Sequence, residues 1–265
     1  MTPFDEMHGD SPDGIRALYG KVKLWLEQTP PETLAARRAQ AELFFRRIGI
    51  TFAVYGEADA AERLIPFDII PRIISRSEWA LLERGLKQRV QTLNAFLSDI
   101  YGSQECLKAG ILPPDLILSN PQYRLEMAGM PAPHGVWVHI AGVDIVRTGE
   151  RAFHVLEDNA RTPSGVSYML ENREVMMRLA PELFANHHVA PVETYTDALL
   201  ATLRSVAPRG ADGEPTIVLL TPGRYNSAFY EHSFLADKLG IELVEGSDLF
   251  VRDDRVYMRT TDGPQ

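Results

Sequence analysis

The hydrophobic pattern in the middle of this chain changes period between Leu97 and Val136, and that change constrains the fold more than any other feature. Trp79, Leu82, Leu86, Val90, Leu93 and Leu97 recur at three- and four-residue spacing, the stripe of an amphipathic helix packed on a core. Ser75-Arg-Ser-Glu78 ahead of it is a capping-box pattern that marks the helix start. From Gly135 the period falls to two. Val136, Val138 and Ile140 alternate with Trp137 and His139, as on a half-buried strand. Gly142-Val-Asp-Ile-Val-Arg147 and Ala152-Phe-His-Val-Leu-Glu157 read as further strands about a short turn at Thr148-Gly-Glu-Arg151, which predicts a β-meander or hairpin.

The flanking segments carry both periods as well. Ile15, Leu18, Val22 and Leu26 predict a helix over Gly14–Glu27, and Thr29-Pro-Pro suits the entry of a second helix that runs to Ile48 and stops at Gly49. Ile50–Tyr55 reads as a strand, Gly56–Asp59 as a turn, and Ile65–Ile74 as an extended connector cut by Pro66 and Pro71. Helices are expected over Val166–Leu179 and Thr194–Val206, with Ala207–Pro215 as a linker. Thr216–Leu220, Ser227–Leu239 and Gly240–Gly246 then form one βαβ unit, which implies a parallel pair. Leu249–Val251 and Val256–Met258 flank a hairpin turn. The expected architecture is α/β with mixed sheets: a helical region over 1–50, a central portion over 51–208, and a βαβ-plus-hairpin portion over 209–265. No closing helix or capping strand is expected after the hairpin, so the chain reads as interrupted.

Composition narrows the function. The formal net charge of −9 argues against a nucleic-acid binder, which needs a basic face to neutralise phosphates. It leaves room for a single nucleotide held by a few local groups. One cysteine, Cys106, rules out an intramolecular disulfide and any Cys-rich zinc module. It reads as a small, partly buried hydrophobe rather than a nucleophile. No run approaches the roughly 18 apolar residues of a membrane helix, and the acidic N-terminus lacks the form of a signal peptide. The expected compartment is the cytoplasm, with no membrane and no nucleic-acid partner.

The densest polar set near predicted strands is Asp144, Glu157, Asp158, Asn159 and Arg161. Alternation turns Asp144 away from Val143 and Ile145, and the short turn returns the chain so that Glu157 runs beside it. Glu157 and Asn159, two apart, share a side. Two carboxylates and an amide oxygen form the hard donor set that Mg²⁺ prefers. Acidic residues at strand ends more often face solvent or cap the next helix, and spacing alone leaves both readings open. Ser164 and Gly165 lead into a helix whose first N–H groups suit an anion or a plain N-cap by Ser164 or Thr162. Arg161 suits an anion clamp or a surface charge. Asn226, Ser227, Glu231 and His232 lie where open α/β sheets bind ligands, and capping by Asn226 or Ser227 is the alternative. His187 and His188 are adjacent and do not make a metal pair.

Glu157-Asp-Asn-Ala-Arg-Thr-Pro-Ser-Gly-Val-Ser-Tyr-Met-Leu-Glu-Asn-Arg173 resembles the circularly permuted ATP-grasp proteins often labelled type 2, which are related to the synthetase domain of glutathionylspermidine synthase. Ile65-Pro-Phe-Asp-Ile-Ile-Pro-Arg72, Gly142-Val-Asp-Ile-Val-Arg147 and Leu220-Thr-Pro-Gly-Arg-Tyr-Asn-Ser-Ala-Phe-Tyr-Glu-His232 extend the match in the same order. The resemblance implies an ATP-dependent carboxylate–amine ligase that works through an acyl phosphate, with ATP and Mg²⁺ as cofactors. Its substrates would be a small-molecule or peptide carboxylate and an amine. It also implies Asp144, Glu157 and Asn159 as metal ligands, Arg161 as the catalytic residue that neutralises phosphate, and Ser164, Gly165, Asn226 and Ser227 as substrate-binding residues. Two departures stand out. The synthase has Asp where this chain has Arg161, and an Arg two residues before its metal Asp, where this chain has Gly142. Arg161 or Arg147 is the expected substitute for that second group. The lysines and adenine pocket of the family have no candidate here. The rival reading is therefore a non-catalytic binding or interaction module that kept the fold without a complete nucleotide site.

Overall fold

A computed structural model describes residues 4–10, 14–52, 63–185, 187–208 and 213–264. The chain forms two compact units, each assembled from two separated stretches. The first comprises Met1–Gly14 with Ile73–Pro163, and the second comprises Ile15–Arg72 with Ser164–Gln265.

The first unit is organised by α3 (Arg76–Ile100), so numbered because two helices of the second unit precede it. Its start is the expected capping box. Ser75 Oγ accepts from the Glu78 amide, and Glu78 accepts from the Ser75 amide at 2.7 Å. The apolar stripe is half-buried from Leu82 to Leu97, whereas Trp79 is 53% exposed and Ile100 is the one enclosed position of the helix. Two short helices follow, α4 (Glu105–Lys108) and α5 (Pro114–Leu118), and then irregular chain. Cys106 is half-buried, and its Sγ donates to Asp99 Oδ2 at 2.7 Å. That contact, with burial and the Asp99 charge, pushes the thiol pKa up and works against a nucleophilic role.

The segment Val136–Ile140, expected as a strand, is not one. Asn94 Oδ1 accepts from the amides of both Trp137 and Val138, so a helix side chain satisfies the groups that a neighbouring strand would have used. The Trp137 ring stacks on Tyr101, which stacks in turn on Tyr123, each pair at 5.0 Å. Val138 is buried by this arrangement. The meander therefore reduces to one antiparallel hairpin, β3 (Gly142–Gly149) and β4 (Ala152–Asn159).

The second unit begins with a short 3-10 turn at Ala17–Tyr19, later than the expected helix start, and passes into α1 (Gly20–Gln28) and α2 (Pro31–Ile48). Pro31 opens α2, and Gly49 ends it at φ 79°, a left-handed conformation that glycine adopts without strain. Two short antiparallel strands follow, β1 (Thr51–Phe52) and β2 (Arg63–Leu64). The rest of the expected strand to Tyr55 and the turn at Gly56–Asp59 lie outside the described residues, as does most of the expected linker after Pro208. The helices α6 (Val166–Leu179), α7 (Pro181–Ala185), α8 (Tyr195–Ser205) and α9 (Phe229–Leu239) complete the helical part.

Ala41, Phe45, Ile50 and Val175 form the buried centre, with Phe44, Ile48, Ile65, Phe67, Tyr168, Leu179 and Tyr230 packed around it. Phe45 meets Phe67 edge-on at 5.4 Å. The strands β5 (Val218–Leu220) and β6 (Glu242–Val244) pair in parallel across α9, as the βαβ pattern requires. The strands β7 (Leu249–Arg252) and β8 (Arg255–Thr260) form the expected hairpin. A two-residue strand, β9 (Gly263–Pro264), pairs with β8 where none was expected. The whole is a mixed α/β protein with small sheets. No described helix is long and apolar enough to cross a membrane.

Candidate functional site

The β3–β4 hairpin places the acidic residues. Asp144 stands directly opposite Glu157, and Gly142 opposite Asn159. The register then shifts, because Ile145 pairs with Val155 and leaves Leu156 as an extra residue on β4. This bulge sets the faces. Simple alternation from half-buried Val155 would turn Glu157 and Asn159 inward with it. One inserted residue reverses the phase. Asp144, Glu157 and Asn159 are all exposed, while Val143, Ile145, Val155 and Asp158 are half-buried. Leu156 itself is 69% exposed.

The three residues expected to bind metal therefore share the outer face of one ribbon. Asn159 Nδ2 donates to Glu157 Oε1 at 3.0 Å. Among the described residues no basic side chain forms an ion pair with Asp144 or Glu157. Like charges directly opposed across strands repel, and among the described residues no ion pair relieves that repulsion. Two carboxylates and an amide oxygen that can rotate inward suit Mg²⁺, with water and phosphate oxygens completing its shell. The fit depends on those other ligands. Among the described residues no group of three or more His, Cys, Asp or Glu side chains is arranged to hold a metal.

The inner face is held by arginines. Arg89 of α3 grips both Asp158 oxygens, with Nε and Nη2 each at 2.6 Å. This pairing holds the Asp158 carboxyl below its ordinary range. Arg147 lies between the rings of Phe4 and Phe153, at 4.9 and 4.8 Å, and bonds Glu6 and Glu78. Burial alone would raise the Glu78 carboxyl, but the Ser75 amide, Arg147 and the Ser75 hydroxyl take it down to about 2. With its side chain only 6% exposed and both carboxylates bound to it, Arg147 is occupied internally and does not reach a phosphate. Arg161 is exposed.

Gly142 is closely covered. A Cβ there would lie 2.7 Å from Pro163 Cβ, so a side chain at this position would force the chain that returns over the ribbon to shift.

Ser164, Gly165, Asn226 and Ser227 belong to the second unit. Gly165 precedes α6 at φ 105°, a conformation that suits glycine. The N–H groups expected to be open to an outside anion are held by an internal one. The Glu231 carboxylate is 5% exposed and accepts from the Gly165 and Ser167 amides and from Ser167 Oγ at 2.6 Å. Glu231 thus does not face a ligand. His232 likewise turns to Thr221, with Nδ1 2.9 Å from its hydroxyl. Asn226 Oδ1 accepts from the Ala228 amide in an Asx turn ahead of α9, whose N-cap, Ala228, has no side-chain cap. Ser164 remains exposed. His187 Nδ1 lies 2.6 Å from the Leu183 carbonyl, at the end of α7. Sequence reasoning missed Arg89, which carries no local signal because its partner lies 69 residues away.

The sequence matches the family described as a circularly permuted ATP-grasp over residues 71–265. It is 48% identical over 241 residues to an uncharacterized protein of Synechocystis sp., covering 91% of this chain and 50% of that protein. An uncharacterized Mycobacterium tuberculosis protein is 46% identical over 98% of this chain and 46% of its own length. A Frankia alni protein provisionally named glutamate–cysteine ligase 2-3 is 39% identical over 96% of this chain and 29% of its own. The chain thus spans about half the length, or less, of these curated relatives.

Proposed function

Because this chain belongs to the circularly permuted ATP-grasp family, we propose that it supplies the divalent-metal face of an ATP-dependent ligase that joins a carboxylate to an amine. The observation that carries the reading is the Asp144–Glu157 pair. Two carboxylates stand directly opposed on an exposed ribbon face, Asn159 sits beside them, and among the described residues no basic side chain forms an ion pair with either. The provisional name of the Frankia alni relative supports the ligase class.

Asp144, Glu157 and Asn159 would hold Mg²⁺, which when bound offsets negative charge on the phosphates of ATP. Asn159 has to turn its amide so that Oδ1, rather than Nδ2, faces the ion. Arg161 is the exposed cation of the same segment, and we assign it to the transferred phosphate. Ser164 and the Asn226–Ser227 loop are assigned to the carboxylate and amine substrates. Gly165 contributes backbone shape, since its amide already serves Glu231.

The test is ATP consumption by the wild-type chain with Mg²⁺ and mixed panels of carboxylates and amines, beside Asp144→Asn. ADP release that needs both co-substrates and is lost in the variant supports the reading. ADP release that Asp144→Asn leaves unchanged contradicts the assigned face. No turnover with any pair contradicts the ligase reading for this chain and favours a binding module.

A further inference from the structure

We propose that Arg89 is a positioning residue that sets which way the metal-facing side chains of β4 point. The inference rests on the metal reading of Asp144, Glu157 and Asn159. Asp158 lies between Glu157 and Asn159, and neighbouring residues of a strand face opposite sides. Whichever side Asp158 takes, Glu157 and Asn159 take the other.

The strand has two phases available. With Leu156 bulged out, as observed, Glu157 pairs with Asp144 and faces outward. With Leu156 drawn into regular pairing, Val155, Glu157 and Asn159 would share the inner face, because a one-residue slip exchanges the faces of every later side chain. Hydrophobicity does not choose strongly between these phases, since the residue expelled in the observed one is a leucine, 69% exposed. Arg89 does choose. Its planar fork takes both oxygens of Asp158 at 2.6 Å each from a helix 69 residues away in sequence, a bidentate geometry that fixes direction as well as distance. The Arg89 side chain is 43% exposed and that of Asp158 17%. With its guanidinium end open to solvent, the pair adds little to global stability, so its removal should show in the site rather than in the fold.

The test uses Mn²⁺ as the probe, with bound metal read from the loss of the free-ion EPR signal, on wild type, Arg89→Ala, Arg89→Lys and Glu157→Gln. Circular dichroism and thermal melting run in parallel. The expected result is Mn²⁺ binding by wild type, loss in Glu157→Gln, and weakening by about 10-fold or more in Arg89→Ala with a nearly unchanged melting midpoint. Arg89→Lys, which keeps the charge and one of the two bonds, should recover part of the affinity. If Arg89→Ala fails to fold, Arg89→Lys against wild type carries the comparison. Wild-type affinity in the folded arginine variants overturns the positioning role while leaving the metal face standing. A wild-type chain that binds no Mn²⁺ overturns the metal reading, and this inference with it.

Discussion

Asp144 and Glu157 are direct partners across an antiparallel ribbon, both exposed and on the same face. A protein selected for stability alone would not oppose two carboxylates there. Neutralising one of them, as in Asp144→Asn, should leave apo stability unchanged or raise it by about 0.2–1 kcal/mol, the size of a cross-strand charge effect. Divalent-cation binding should fall sharply in the same variant. Urea unfolding paired with metal titration checks both signs. A variant that is markedly less stable without metal would show that Asp144 has a structural role instead.

Gly142→Ala should destabilise the first unit. The added methyl would lie 2.7 Å from Pro163 Cβ, against a ring that cannot swing aside. Overpacking of this kind costs about 1–3 kcal/mol, and thermal melting would register it as a drop of several degrees.

Glu231→Ala removes the acceptor for two backbone amides and a hydroxyl at the start of α6. Buried donors left without a partner cost about 1–3 kcal/mol. The loss should appear in urea unfolding and as faster amide exchange at Gly165 and Ser167. Unchanged protection there would contradict the capping role.

The Glu78 carboxyl provides a pH signature. Its pKa is depressed from an ordinary 4.5 to about 2, so the folded chain favours the charged form. Its contribution to stability is full above about pH 4.5 and is lost as pH falls towards 2. Glu78→Gln should be less stable than wild type at neutral pH, and the gap should narrow through that acid window.

What the sequence made legible was local. The capping box of α3 needs only Ser75 and Glu78, and the hairpin needs only period-two patterning around a four-residue turn. The parallel pair followed from strand, helix and strand in succession. What escaped was set at long range. Val136–Ile140 has the alternation of a strand, yet Asn94, more than forty residues earlier, takes its amides. The outward turn of Glu157 and Asn159 could be expected, but its cause could not. Leu156 reads as an ordinary strand residue, and its expulsion is visible only in the pairing register. Glu231 reads as a ligand-facing acid until Gly165, 66 residues away, is brought to it.

The central claim is a working divalent-metal face, and the most direct measurement is the melting temperature with Mg²⁺ and ATP, for wild type and Glu157→Ala. A ligand at about a hundred times its Kd adds roughly 2.7 kcal/mol, or several degrees in a chain of this size. The account predicts a rise in wild type that needs both Mg²⁺ and ATP and disappears in Glu157→Ala. A rise of equal size in the variant, or none in wild type, would contradict it.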